Sequence, residues 1–140
     1  KQPLPDMPYL EILAPSAPET RKRTASRALT DGVVTSFGVE PSTVTLYFMP
    51  IAPHDYAHEG QLGHDGGGEG TRVFVKVHAY RRTPAQRRAL AAAITPALAA
   101  CFATGSHNVA VYFLDREQDE VAHDGHLASD EAEQQPDHTA

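Results

Sequence analysis

The chain has 140 residues, with 12 Lys+Arg, 18 Asp+Glu, one Cys, no Trp and 41% hydrophobic residues, the size of one ordinary domain rather than two. The lone Cys101 excludes an internal disulfide framework and a Cys-rich zinc module. No apolar run approaches the roughly 20 residues that span a bilayer, and residues 1–6 (KQPLPD) lack the apolar core of a signal peptide, so a soluble cytoplasmic protein is expected.

Charge is unevenly placed. Residues 115–140 hold nine acids and one base, whereas residues 1–114 hold nine acids and eleven bases, so the folded part is slightly basic. In chain order, Tyr9–Ala14 (YLEILA) reads as a strand. Ser16-Ala17-Pro18-Glu19 then opens a helix, with Ser16 as the capping hydroxyl and Pro18 in the first turn. Ala25, Ala28, Leu29, Val33, Val34 and Phe37 recur on that helix at three- and four-residue steps. Arg21, Lys22, Arg23 and Arg27 form its solvated face, and without interleaved aromatics they do not indicate nucleic-acid binding. Gly38 ends the helix, Pro41-Ser42 turns the chain, and Val44–Phe48 is a strand.

The order then repeats. Val73–Ala79 is a strand, Thr83-Pro84-Ala85-Gln86 a second cap, residues 87–102 an Ala-rich helix interrupted by Pro96, and Val109–Phe113 a closing strand. The pentads VTLYF (44–48) and VAVYF (109–113) lie 65 residues apart, which marks an internal duplication of a β-α-β unit. Helical crossovers make the strands within each unit parallel and the crossovers right-handed. The expected fold class is therefore α+β: two units, 8–50 and 72–115, forming a four-stranded mixed sheet with both helices on one face. A bare apolar sheet face implies burial against other subunits. Residues 1–7 are expected as an N-terminal extension, 8–120 as the domain, 51–71 as a linker and 121–140 as an acidic mobile tail that buries too little apolar surface to order itself. In the linker, His54-Asp55, His58-Glu59 and His64-Asp65 precede Gly66-Gly67-Gly68. Their spacing fits no established metal motif, so a flexible loop and no metal are expected.

Met7-Pro8-Tyr9-Leu10-Glu11-Ile12, followed by a capped helix and a V-x-L-Y-F strand, all duplicated, resembles the tautomerase superfamily. That family includes 4-oxalocrotonate tautomerase, macrophage migration inhibitory factor and malonate semialdehyde decarboxylase. The resemblance is greatest to its double-length members and covers about residues 8–117. It implies removal of the preceding methionine, a free secondary amine at Pro8 that serves as general base or acid, no cofactor, and a homotrimer. A secondary amine suits that role because nearby cations or desolvation favour its neutral form and bring its pKa toward neutrality. Aligning Arg82-Thr83-Pro84 with the family's strand-to-helix turn places Arg82 where members bind a substrate carboxylate, with Arg81 beside it. Arg72 is assigned to the place of Pro8 in the second unit, near the amine in a symmetric assembly, and Tyr47 and Tyr112 carry hydroxyls suited to an enolate oxygen. The chain departs from the family at Thr45 and Ala110, where a second arginine belongs, and at Thr43, where the decarboxylase has an aspartate.

The resemblance thus implies an isomerase that moves a proton between carbon and oxygen of a small anionic keto/enol substrate. The alternatives are a decarboxylase or hydratase/dehalogenase acting on a small carboxylate, and a catalytically silent oligomeric homologue. Residues 1–7 discriminate between them, because a Pro8 nitrogen still bound to Met7 is an amide with no useful basicity.

Overall fold

A computed structural model describes residues 7–65 and 70–134. Strand β1 (Tyr9–Ala14) leads through helix α1 (Glu19–Phe37) to β2 (Thr45–Pro50), which a short hairpin of β3 (Ala57–His58) and β4 (Gln61–Leu62) follows. The second unit repeats this with β5 (Val73–Tyr80), α2 (Pro84–Cys101), β6 (Val109–Arg116) and a hairpin of β7 (Ala122–His123) and β8 (His126–Leu127), and ends in α3 (Ala128–Gln134). The four long strands form one mixed sheet in the order β2-β1-β5-β6. β1 and β2 pair in parallel, as do β5 and β6, and β1 meets β5 antiparallel at the centre.

Alternation along the strands explains the layering. Leu10, Ile12 and Ala14 of β1 and Val73, Val75 and Val77 of β5 turn to one face, where they pack against Ala25, Leu29, Val33 and Phe37 of α1 and Leu90, Ile94, Leu98 and Cys101 of α2. Each Leu, Ile, Val or Phe side chain among these, fully buried, contributes about 1.5–3 kcal/mol. The two helices approach closely at Gly32, where an added Cβ would lie 3.0 Å from Ile94 Cγ2 and 3.4 Å from Ala93 Cβ. Burial also pushes the Cys101 thiol pKa up, against the opposing effect of Arg21 and Lys22, so it behaves as a small apolar filler.

The opposite face of the sheet carries Tyr9, Glu11, Tyr47, Met49, Phe74, Lys76, His78 and Tyr112, of which Tyr47 and Tyr112 are more than half exposed. The expected α+β architecture, with both helices on one side, is what the chain adopts.

Two local expectations change. Helix α1 starts at Glu19 with Pro18 as its N-cap and no side-chain cap, so Ser16 does not supply the capping hydroxyl. The cap of α2 has the expected form: Thr83 accepts from the Gln86 amide while Gln86 returns a bond to the Thr83 amide. The second change is larger. The supposed linker and tail each contain a hairpin, because the repeat runs beyond the strands: Ala57-His58-Glu59-Gly60-Gln61-Leu62 lies 65 residues before Ala122-His123-Asp124-Gly125-His126-Leu127. Glu59-Gly60 and Asp124-Gly125 take left-handed backbone at their tips, φ 53° and 75° in the first and 53° and 80° in the second. Equivalent backbone bonds close both, Gly63 N–H to Tyr56 O at 2.7 Å and Ala128 N–H to Val121 O at 2.9 Å. Gly66–Gly68 of the expected flexible loop, and residues 135–140 of the expected tail, lie outside the described residues.

Candidate functional site

The start of β1 and the end of β5 lie together because these strands run antiparallel, with Tyr9 opposite His78. Pro8 therefore stands at the same end of the sheet as Arg81 and Arg82. Its ring is buried and its carbonyl accepts a bond from Thr45 N–H at 3.2 Å. Met7, whose carbonyl carbon is joined to the Pro8 nitrogen, is 43% exposed and lines a cavity of about 450 Å³.

Tyr9, His78, Tyr80 and Arg116 wall this cavity on the sheet side, and Glu120 of the turn after β6, Ala122, His123 and His126 of the β7–β8 hairpin, and Glu131 of α3 wall it opposite. A cluster that the sequence reading did not single out occupies its floor. His78 is 5% exposed, stacked on Tyr9 with ring centroids 4.3 Å apart and planes 5° from parallel. Its Nδ1 lies 3.1 Å from an Nη of Arg116, and its Nε2 lies 2.9 Å from Glu11 Oε2 in a contact that is electrostatic rather than a well-aligned hydrogen bond. Desolvation lowers the His78 pKa below its ordinary value, Glu11 opposes that, and Arg116 and Lys76 reinforce it, so the imidazole is held neutral near pH 7. Because Arg116 donates to Nδ1, the single proton of the neutral ring sits on Nε2, facing the Glu11 carboxylate. Burial raises the Tyr80 pKa, with Glu131 adding to the effect.

The signal for this cluster was present. Glu11 and His78 are polar residues inside otherwise apolar strands, and strand alternation puts both on the face away from the helices. Their meeting depends on the β1–β5 register, which no local pattern specifies.

The two arginines at the β5–α2 turn do not line the cavity. Arg82 stacks on Phe37, its guanidinium carbon 4.6 Å from the ring centroid, and donates to Tyr80 O at 2.8 Å; its burial lowers its pKa. Arg81 pairs with Asp115 at 3.0 Å, and Asp115 is also held by Arg87 at 2.5 Å. Arg72 falls elsewhere. The strand registers match Tyr9 with Thr45 and Phe74 with Ala110, so the repeat is a uniform 65 residues and the counterpart of Pro8 is Val73, while Arg72 corresponds to Met7. This corrects the assignment of Arg72 to the place of Pro8. Within one chain it lies at the opposite end of the sheet from Pro8, so a role beside the amine needs a second subunit. Tyr47 and Tyr112 are counterparts on the two edge strands, edge-on to Tyr9 and Phe74 at 6.0 and 5.8 Å, and neither lines the cavity.

The histidines of residues 54–64 do not converge. His58 meets Arg72, and His64 lies 2.8 Å from Ile51 O. Among the described residues no group of three or more His, Cys, Asp or Glu side chains is placed to hold a metal ion. No described helix is long and apolar enough to cross a membrane.

Solved structures share this architecture. The chain superposes on a wild-type fused 4-OT described as an asymmetric trimer with TM-score 0.78 at 20% identity, covering 87% of this chain and 97% of that one. Pt0534 inactivated by 2-oxo-3-pentynoate gives 0.76 at 22%, with 89% and 98% covered, and the macrophage migration inhibitory factor of Toxoplasma gondii gives 0.71 at 16%, with 85% and 98% covered. No family model matches the chain, and no curated protein sequence matches it. The chain has the fold of the tautomerase superfamily.

Proposed function

We propose that the chain is a tautomerase-like enzyme that moves a proton between carbon and oxygen of a small anionic keto/enol substrate, using the Pro8 amine once residues 1–7 have been removed. The observation that carries this reading is the position of Met7: the residue bonded to the Pro8 nitrogen lines the 450 Å³ cavity, so cleavage after it turns a buried ring nitrogen toward that cavity. The ring fixes the direction of the lone pair, and the Arg116 guanidinium and a partly dry setting both favour the neutral amine. A proton taken from the carbon α to a carbonyl leaves an enolate, which Arg116 stabilises while also attracting the substrate carboxylate. His78, neutral, adds a polar wall without placing another full positive charge beside the amine.

Arg82 enters as a second cation at this end of the sheet, on release from Phe37, with Arg81 beside it. In a homotrimer, the assembly of the fused 4-OT above, Tyr47 and Tyr112 come from neighbouring subunits. The decarboxylase and hydratase/dehalogenase alternatives use the same amine protonated, and the silent alternative retains residues 1–7.

The test compares the full chain with protein that starts at a free Pro8. Ketonisation of phenylenolpyruvate or 2-hydroxymuconate rises by about 10²–10⁴ in the shortened protein, the usual worth of a positioned acid/base group, and Pro8→Ala in that protein removes the gain. Mass analysis after treatment with 2-oxo-3-pentynoate finds the label on Pro8. Equal rates with and without residues 1–7 overturn the amine mechanism.

A further inference from the structure

A second cavity, of about 250 Å³, opens at the other end of the sheet, where Leu13, Phe74, Arg72 and the β3–β4 hairpin meet. Each of its ten lining residues lies 65 residues from one that lines the larger cavity: Leu13 answers to His78, Phe74 to Tyr9, His58 to His123, Asp55 to Glu120 and Arg72 to Met7. The duplication has therefore built the same pocket twice, and its two copies have diverged in chemistry. Val73 stands where the larger pocket has Pro8, and its nitrogen is a buried internal backbone amide with no useful acid/base capacity. The smaller pocket therefore has no proton-transfer group of that kind. It has gained a fixed cation instead, because arginine replaces methionine at its mouth.

The setting of Arg72 is suited to an anion. Its Nε donates to His58 Nε2 at 2.9 Å, and its backbone N–H donates to the Tyr56 hydroxyl at 3.2 Å, so backbone and stem are held by the hairpin. With Nε engaged, the two terminal nitrogens present the planar end that grips a carboxylate with two parallel bonds, and among the described residues they have no partner. The remaining wall is apolar at Leu13, Pro15, Ile51 and Phe74. Among the described residues the one carboxylate there is Asp55, which limits the site to ligands carrying a single compact anionic group.

We propose that this second cavity is a non-catalytic binding site for a small monocarboxylate with a compact apolar body, gripped by Arg72. Its volume, just below the roughly 300–1,000 Å³ of drug-sized sites, matches a ligand of about one ring and a short acid arm.

Phenylacetate is the probe, used with the full chain. The His58 ring resonance, assigned by its loss in His58→Gln, shifts saturably on titration. Arg72→Ala and Arg72→Gln weaken that titration at least tenfold, and Arg72→Lys, which keeps the charge without the planar grip, falls between. Absence of a saturable His58 shift, or an unchanged titration in folded Arg72→Ala or Arg72→Gln, overturns the proposal. Because the signal is local to His58 and is read without turnover, the result is independent of whether Pro8 catalyses proton transfer.

Discussion

Glu11 and Lys76 occupy the same position in the two repeats and face each other across the β1–β5 seam, the ammonium nitrogen 4.0 Å from the carboxylate. The pseudo-twofold axis of the duplication passes between them. An identical charged residue on both sides of that axis would meet its own copy directly opposite, and like charges in a cross-strand pair are destabilising. This chain has opposite signs there. The lysine is 47% exposed, so the attraction itself contributes no more than about 1 kcal/mol. Lys76→Glu, which restores a like-charge pair beside His78, is expected to lower the urea midpoint more strongly at low than at high salt. Equal losses in both would show that charge is not the cause.

The His78 environment predicts a pH dependence. Its folded pKa lies below the ordinary value of 6.5 because of burial, so the unfolded chain binds the proton more readily. The associated stability is fully present above about pH 6.5 and is lost as pH falls through that value toward the folded pKa. Glu11 from β1, Lys76 from the same strand and Arg116 from β6 set the size of the shift, with Tyr9 covering the ring. Chemical denaturation of the full chain at pH 7.5 and 5.5 should show a larger drop for the wild type than for His78→Gln. Glu11→Gln removes the one contact that favours the imidazolium, and should move the His78 titration in NMR further down.

The β7–β8 hairpin belongs to a cavity wall and contributes little to the core, whose buried residues end at Phe102. Deleting residues 121–140 is therefore expected to leave the sheet and the α1 and α2 helices folded, with the far-UV spectrum nearly unchanged. The same deletion removes Ala122, His123, His126 and Glu131 from around the larger cavity, and substrate turnover by Pro8-initiated protein should fall at least tenfold. Full activity after deletion would return these residues to a passive tail.

The face opposite the helices exposes Tyr47, Met49, Phe74 and Tyr112, at 55%, 42%, 39% and 56%. Large apolar side chains exposed in this way on a sheet with two open edge strands are ordinarily covered. Three chains arranged about an axis bury those faces and pair the outer strands β2 and β6 across subunits. Light scattering is expected to give three times the 15.1 kDa chain mass. Tyr47→Lys combined with Tyr112→Lys should yield smaller species, and a monomeric wild type at micromolar concentration would refute the assembly.

The sequence by itself determined the repeated β-α-β order, the two helices, the Thr83–Gln86 cap and the side of each strand that faces the core, because those features follow from periodicity within a few residues. It also carried the hairpins, in the matching AHEGQL and AHDGHL segments, but acidic composition and glycine content obscured that signal. Tertiary structure decided what meets across the centre of the sheet. The antiparallel β1–β5 register puts His78 between Glu11 and Arg116, sends Arg72 to the far end from Pro8, and aligns Val73 rather than Arg72 with the proline. Side-chain direction decided the rest, since Arg82 reaches the expected end of the sheet yet turns to the Phe37 ring. Strand pairing at long sequence separation is set by burial of whole faces, and no local spacing encodes it.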